Sequence, residues 1–534
     1  MAGRVAFSSE FVCYARMDQF ISKHADAIEG TLSCFDRLMF RGYLPFFSGY
    51  AMAAFLQAHH VHRWDLKRFV IEQAERLKTH ARRMAEAAGR PCEYLPGASD
   101  KDELARALAK RDGIEQGLVC IYSVVEPCRT FSLRWQQRHY VQFAKRKCLF
   151  LYYYFMDPDL GLIHVKLQTW FPLQLQLYVN GHEWLARTLT RHGIRYTKLD
   201  NAFLWIEDFP RAQTFADRLV TVGWVDLLQG YARRVNPLLG DLLDPMQYYW
   251  VTAQAEYSTD LVFKSRAQLR DLVPRLLEHS TRSFTAQDVL AFLGRKLHGQ
   301  FQGEVLTDLR AQELKGRLLG HRVKHRMKQN WIKMYDKAGL VLRIETVINA
   351  PEEFRVRRRV RRRGCRKTEW VPLRKGVVYL FRYREICLQS NSRYLAALAQ
   401  VDDPTPALRG LDSITVPKTP ANGRRVKAFN PVARLDSQLF GALMSGEHAL
   451  HGFTNRDLRD KLQRTLVHLS DQPKTQSAQV SRLLHRLHVY GLVAKIPRSR
   501  RWRVSASGYR IMSASLQLRE LHFPSLHADA AKAA

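Results

Sequence analysis

The stretch HRVKHRMKQNWIKMYDKAGLVLRIETVIN, residues 321–349, reads as a basic approach running into a β-hairpin. Trp331 to Tyr335 form one arm, Asp336-Lys337-Ala338-Gly339 the turn and Leu340 to Ile348 the other arm. Asp and Gly there flank a short connection between two alternating runs rich in β-branched and aromatic residues. Strand alternation then sorts the side chains. Ile332, Met334, Leu340, Leu342 and Ile344 take apolar positions, while Lys333, Tyr335 and Lys337 share one face and Arg343 and Glu345 share one. A single sheet face thus collects a phenol, a carboxylate and several cations, a set suited to phosphodiester chemistry. Ordinary cross-strand pairing uses the same residue types, with Arg343 and Glu345 as a simple ion pair.

The charge of the whole chain points the same way. Across 534 residues, 84 Lys and Arg face 50 Asp and Glu, a formal net charge of +34, and the isoelectric point is about 10.1. A field of that sign favours phosphate backbones over an anionic membrane surface, for which no basic amphipathic anchor or lipidation signal is present. DNA is the favoured partner and RNA the second choice. The eight cysteines, Cys13, Cys34, Cys92, Cys120, Cys128, Cys148, Cys365 and Cys387, show no zinc spacing and read as reduced thiols. The longest apolar run, Cys148 to Met156, is too short to span a bilayer and no signal peptide opens the chain, so a cytoplasmic protein is expected. Met17 opens a cleaner sequence than Met1 and is an alternative start.

Upstream of the hairpin, residues 18–260 read as an α/β domain. Thr31 to Tyr43 is a strand in which Asp36 and Arg37 interrupt an apolar run, and Gly117 to Val125 is a buried strand. Leu149 to Met156 and Leu162 to Trp170 form a hairpin around Asp157-Pro158-Asp159-Leu160-Gly161, with His164 in a polar row that also holds Lys166 and Gln168. His164 is a candidate metal ligand or proton carrier, against the alternative of a hydrogen-bonded strand histidine. Residues 260–330 look mainly helical. Their basic end, Arg322, Lys324, His325, Arg326 and Lys328, is a candidate phosphate-binding segment.

Downstream, Arg355 to Lys367 carries nine basic residues in thirteen and reads as a basic β-ribbon, with Arg357, Arg358, Arg359, Arg361, Arg362 and Arg363 as backbone-phosphate contacts. Residues 401–431, rich in Pro, Asp and Gly, read as a linker. Helices at Leu435 to Met444, Asn455 to Leu462 and Ser477 to Tyr490, followed by a two-stranded wing, then resemble a winged helix-turn-helix of the MarR-like kind. That resemblance implies base contacts from Ser477, Gln479, Ser481 and Arg482, phosphate contacts from Arg498, Arg500 and Arg501, and homodimerisation through this region. The expected fold class is therefore α+β multidomain, with a central mixed or antiparallel sheet, helices and a C-terminal winged helix. Its parts are an unstructured extension at 1–17, an α/β domain at 18–260, a helical and basic hairpin domain at 261–400, a linker at 401–431, a winged helix at 432–520 and a tail at 521–534.

IKMYDK and VLRIE together resemble the tyrosine-bearing hairpin of rolling-circle replication initiators of the Rep-trans type and of filamentous-phage nicking proteins. In that family a strand ending Tyr-(Asp/Asn)-Lys carries the nucleophile and a nearby Arg-(Ile/Phe)-Glu strand supplies an acid near a metal. The resemblance covers under thirty residues. It implies Tyr335 as nucleophile, Lys333 and Lys337 as activating cations and Arg343 as stabiliser of phosphoryl charge. Glu345, with His164 or Asp36, would hold Mg²⁺ or Mn²⁺. A tyrosine-dependent nicking or strand-transfer protein of a mobile element follows from it. The alternative is a non-catalytic DNA- or RNA-binding protein, a transcriptional regulator or ribonucleoprotein component, in which the hairpin is scaffold.

Overall fold

Strands β1 (Ile28–Tyr43) and β9 (Tyr249–Phe263) pair antiparallel along most of their length and form the middle of an 11-stranded sheet. The computed structural model describes residues 19–134, 140–295, 304–314, 317–362, 365–401, 405–420, 423–444, 452–463, 472–497 and 499–519. The extension at 1–17, the tail at 521–534, Arg363 and Arg498 lie outside them. Two units are present, Met1–Ala399 and Gln400–Ala534.

The sheet of the first unit also contains β2 (Cys92–Tyr94), β3 (Gly117–Arg134), β4 (Tyr140–Asp157), β5 (Gly161–Gln168) and β6 (Leu175–Asn180), all before β9 in sequence. A small separate hairpin, β7 (Tyr196–Leu199) and β8 (Ala202–Ile206), follows them. After β9 come β10 (Val305–Leu314), β11 (Arg317–Met327), β12 (Asn330–Lys337) and β13 (Val341–Ile348). The spatial order is β10-β11-β12-β13-β9-β1-β6-β5-β4-β3-β2, antiparallel throughout except for the parallel pair β2–β3. The sheet is thus mixed, and helices flank it.

Three expectations are corrected here. The domain boundary near residue 260 falls inside β9, a central strand, so the two expected domains are one sheet. Residues 305–327, expected to be helix and loop, are the strands β10 and β11 that extend the sheet beyond the hairpin. The hairpin turn lies one residue later than expected, because Lys337 still pairs with Val341. Ala338 and Gly339 both have positive φ (54° and 64°), and Leu340 N–H donates to the Lys337 carbonyl at 3.1 Å. That is the geometry of a primed turn, whose twist matches that of the strands it joins.

Eight helices of this unit are used below or bound its core: α1 (Gly49–Ala58), α2 (Leu66–Ala87), α3 (Lys101–Arg111), α4 (Gly181–Arg191), α5 (Phe209–Arg218), α6 (Trp224–Val235), α7 (Arg266–Arg282) and α8 (Ala286–Phe292). A ninth, α9 (Leu380–Leu398), packs on the face of the sheet that carries Tyr257, Thr259, Ile344 and Thr346. Its Asn391 accepts from Thr346 Oγ1 (2.7 Å) and donates to Tyr257 O and Thr259 Oγ1 (both 3.1 Å). With α9 on one side and the polar cluster described below on the other, all eight residues of β13 are buried. A strand buried on both faces reads as a near-continuous apolar run, as VLRIETVI largely does. After it in sequence, β14 (Arg355–Arg362) and β15 (Cys365–Pro372) form the expected basic ribbon as a separate two-stranded sheet.

The second unit contains α10 (Thr405–Thr415), α11 (Arg434–Leu443), α12 (Asn455–Gln463), α13 (Pro473–Val489), the short hairpin β16 (Val493–Lys495) and β17 (Trp502–Val504), and α14 (Ala506–Gln517). Phe440, Leu458, Leu462, Leu484, Leu487 and Leu492 share its core. Thr454 and Asp457 exchange side-chain and backbone hydrogen bonds at the start of α12, a capping box. The expected linker is thus partly helical, since α10 occupies 405–415 despite the flanking Pro and Asp.

Candidate functional site

Register places the predicted residues on one sheet face. Lys333 pairs with Glu345 and Tyr335 with Arg343 between β12 and β13, and Arg343 pairs with Asp260 and Glu345 with Ser258 between β13 and β9. By alternation Glu256 belongs to the same row. On β1 the pairing steps from Phe35–Tyr257 directly to Arg37–Glu256, so Asp36 is the extra residue of a β-bulge. Bulges re-aim side chains, and this one brings Asp36 into the row.

A second device comes from the start of α4. A Cβ on Gly181 would lie 2.1 Å from the Phe35 carbonyl, so only glycine lets the helix approach the bulge this closely. The Asn180 side chain caps α4 by accepting from Glu183 N–H at 3.0 Å. His182 is thereby fixed with Nδ1 3.3 Å from Asp36 and Nε2 3.9 Å from Asp260. Between β7 and β8, Asp200 takes a left-handed φ of 54° and presents Asn201, whose amide donates to both Asp36 oxygens (2.9 and 2.8 Å).

Arg343 is wholly buried. Its Nε and Nη2 each reach Asp260 at 2.6 Å, Nη2 also reaches Asn201 O at 2.7 Å, and Nη1 lies 3.4 Å from Asp36. Four of its five N–H groups are directed at these partners, and the side chain is closed off from solvent. Its assigned role is therefore corrected from phosphoryl contact to positioning, and the fork geometry is one that Lys cannot reproduce. The two lysines also differ from the expectation. Lys333 donates to Glu345 at 2.5 Å and lies 3.5 Å from Glu256, and Lys337 donates to Asn201 Oδ1 at 2.5 Å while its ammonium sits 5.8 Å from the Tyr335 ring centre. The group that touches the Tyr335 hydroxyl is Glu345, which accepts its hydrogen bond.

Asp36, Glu256 and Glu345 each turn a carboxylate oxygen into one space, all within 4.8 Å of one another. With Asp260, four carboxylates here face the buried Arg343 and the half-buried Lys333. Burial would raise the Asp36 carboxyl, yet the hydrogen bond and charge of His182, with Arg343 and Asn201, hold it well below the usual range. Burial and the neighbouring Glu345 push Glu256 up to about 7. Glu345 is lowered despite burial, chiefly by Lys333. The adjacent pair therefore shares one proton, on Glu256, because Lys333 is 1 Å nearer to Glu345 than to Glu256. Tyr335 is raised well above its ordinary value, first by burial and then by Glu345, so its phenol keeps its proton and donates. Convergent, excess carboxylate oxygens with no sulfur or nitrogen donor fit a hard divalent ion such as Mg²⁺ or Mn²⁺.

Of the three predicted metal ligands, Glu345 and Asp36 meet here and His164 does not. His164 Nδ1 instead lies 3.2 Å from Asp102, beside Tyr154, which donates to the same carboxylate at 2.6 Å. Glu256, Asp260, His182 and Asn201 were not predicted. Glu256, Ser258 and Asp260 alternate in AQAEYSTDLVF, a polar row of period two that signals a functional strand face.

The basic segment divides by parity. Arg322, Lys324 and Arg326 alternate on β11, opposite Tyr335, Lys333 and Trp331 on β12, so they extend the site's face, and Lys324 lies 4.1 Å over the Trp331 ring. Arg322 Nε, Arg326 Nε and Trp331 Nε1 are buried donors without a partner among the described residues. His325 points to the other face, fully buried against Tyr394 on α9 (2.9 Å), and burial pushes it down to about 4. It is neutral and inaccessible, which removes it from the phosphate contacts. Lys328 pairs with Glu353 at 2.7 Å.

On the ribbon, Arg357, Arg359 and Arg361 share a face with Arg366, Thr368 and Trp370, which is 63% exposed. Arg358 lies on the reverse face, opposite Glu369; Arg362 is on the strand, its side chain outside the described set. In the second unit Ser477, Gln479, Ser481 and Arg482 lie on α13, where Asn455 donates to Ser477 O (3.1 Å) and Ser481 Oγ (2.9 Å). Arg500 is exposed, and Arg501 donates to Gly452 O at 3.3 Å. The described cysteines are free thiols, and no helix among the described residues is long and apolar enough to cross a membrane. No family model, no curated protein and no solved structure matches the chain.

Proposed function

We propose that the protein is a metal-dependent tyrosine nickase that cuts and rejoins DNA strands, as a replication initiator, relaxase or transposase-like protein of a mobile element. One observation carries the reading: the Tyr335 hydroxyl donates to Glu345, which is itself one of three carboxylates converging within 4.8 Å. A buried phenol is a weak nucleophile until a base takes its proton, and Glu345 is in contact to take it. Tyr335 Oη then bonds to the scissile phosphorus as the bond to the sugar oxygen breaks. That oxygen takes up a proton, and the phosphotyrosine conserves the phosphodiester for rejoining. Lys337, whose ammonium is lowered by burial and by Arg343, is the neighbouring proton donor. Asp36, Glu256 and Glu345 would hold the ion, which supplies charge for the phosphoryl oxygens when bound. Arg343, Asp260, His182 and Asn201 orient this set.

Sequence recognition falls to the second unit, which we read as a winged helix: α11 and α12 lead to α13, followed by a basic β16–β17 wing. The ribbon and the β11 face supply cations for phosphates, with DNA ahead of RNA as partner. The non-catalytic alternative draws on the same ribbon, since its arginines need no chemistry to bind nucleic acid. The test is to incubate the protein with labelled single-stranded DNA libraries and Mg²⁺ or Mn²⁺. A covalent adduct that survives denaturation and is absent in Tyr335→Phe is expected. Tight binding with no adduct would favour the non-catalytic reading.

A further inference from the structure

Two cations flank Tyr335 in the sheet. Arg343 on β13 is closed into its buried network, whereas Arg322, directly opposite Tyr335 on β11, is half-buried and forms no hydrogen bond or ion pair among the described residues. Residues directly opposite on antiparallel strands hold their Cβ atoms about 5 Å apart, so this guanidinium starts beside the phenol. Its Nε is shielded from water without an acceptor among the described residues, which costs free energy until an oxygen is supplied.

Lys324 and Arg326 continue the row along β11. Two residues of an antiparallel strand span about 7 Å, close to the spacing of consecutive phosphates in an extended nucleic-acid strand. Burial lowers the Lys324 ammonium, and the charges of Lys333, Arg322 and Arg326 lower it further. Asp308, opposite Lys324 on β10, is exposed and forms no ion pair among the described residues. Arg326 meets the exposed Glu304 at 3.0 Å, a surface pair of little strength. Its Nε, like Trp331 Nε1 opposite it on β12, is a further buried donor without an acceptor among the described residues. Like charges packed this closely, beside buried N–H groups that lack acceptors, fit a row of anions.

Building on the nickase reading, we propose that Arg322, Lys324 and Arg326 bind three consecutive phosphates of one extended DNA strand, the phosphate on Arg322 being the one that Tyr335 attacks. Arg322 thus takes the charge-stabilising place that Arg343 does not fill. Its N–H groups meet the phosphoryl oxygens, whose charge grows as the Tyr335 oxygen bonds to phosphorus and the sugar oxygen leaves. The substrate strand lies along β11. A straight row selects a single strand, because the phosphates of a duplex strand wind about its axis.

The binding test uses the full chain carrying Tyr335→Phe and fluorescent dT oligonucleotides, read by anisotropy. Arg322→Gln, Lys324→Gln and Arg326→Gln should each lower the slope of log affinity against log salt by about 0.7, and the three together by about 2. Arg322→Lys keeps the charge and should keep the slope. The second test follows the rate of covalent adduct formation at saturating DNA with Tyr335 intact. Arg322→Gln should slow it roughly a hundredfold, as loss of one such donor does, and Arg326→Gln should slow it far less. A wild-type salt slope in the triple variant would overturn the row, even if wild-type protein forms its adduct. An equal loss of slope on a dT·dA duplex would overturn the choice of a single strand. Equal slowing by Arg322→Gln and Arg326→Gln would overturn the place of Arg322 at the cut. A lowered slope in protein that forms no adduct would support the row and remove the nickase.

Discussion

If the carboxylate cluster takes the divalent ion proposed above, Glu256 makes that binding pH-dependent. Its carboxyl is pushed up to about 7 by burial and Glu345, against an ordinary value of 4.5. A divalent ion needs the deprotonated form, so the apparent affinity for Mn²⁺ should rise with pH until about 7 is passed. For one such group the gain from pH 5 to pH 8 is about 90-fold, with about 0.9 proton released per ion at pH 6 and about 0.1 at pH 8. Without an ion the sign reverses for stability. The folded state holds this proton after the unfolded chain has lost it, so stability is fully present below about pH 4.5 and falls as pH rises through about 7. The loss is at most ~3 kcal/mol. Titration calorimetry with Mn²⁺ in buffers of different ionisation enthalpy measures affinity and proton release together. Glu256→Gln should bind more weakly at pH 8 but lose the slope between pH 5 and 8. Equal wild-type affinity at pH 6 and 8, or the same proton release in the variant, would refute the argument.

Arg343→Lys should destabilise the first unit by about 3–5 kcal/mol in urea unfolding followed by tryptophan fluorescence, because it leaves the buried Asp260 carboxylate without its two-pronged partner. Gly181→Ala should weaken Mn²⁺ binding in the same calorimetric assay, since its Cβ would press on the Phe35 carbonyl and displace both His182 and the Asp36 bulge. Replacing Arg357, Arg359 and Arg361 by Gln should lower the slope of log affinity for single-stranded DNA against log salt by about 2, measured by anisotropy, if all three contact phosphates.

The hairpin was legible because period-two alternation and an Asp–Gly connection are local signals, and they placed Tyr335, Lys333, Arg343 and Glu345 correctly on neighbouring strands. Asp36 stood out as a charge interrupting an apolar run. The bulge that aims it did not, since a bulge exists only relative to a partner strand, here more than 200 residues away. Glu256 and Asp260 were hidden because the polar row of β9 resembles a loop when its burial is unknown. Parity alone separated inward His325 from outward Arg322, Lys324 and Arg326, but only once β11 was recognised as a strand. Its Gly320 and dense cations, and the helix-like LRAQEL of β10, concealed that. In the second unit, apolar residues at helical spacing such as Leu458 and Leu462, or Val480, Leu484 and Leu487, made the helices readable. The helix α10 was lost among Pro, Gly and Asp, which signal turns whatever the tertiary contacts decide.

The central claim is that the Tyr335 oxygen forms the bond to DNA. Protein incubated with Mn²⁺ and single-stranded DNA, denatured, treated with nuclease and cut with trypsin yields residues 334–337 as one peptide, Met-Tyr-Asp-Lys. Mass spectrometry should find that peptide heavier by one nucleotide monophosphate, with fragment ions placing the added mass on Tyr335. A nucleotide mapped to another residue, or an unmodified peptide from protein that has cut its substrate, would contradict it.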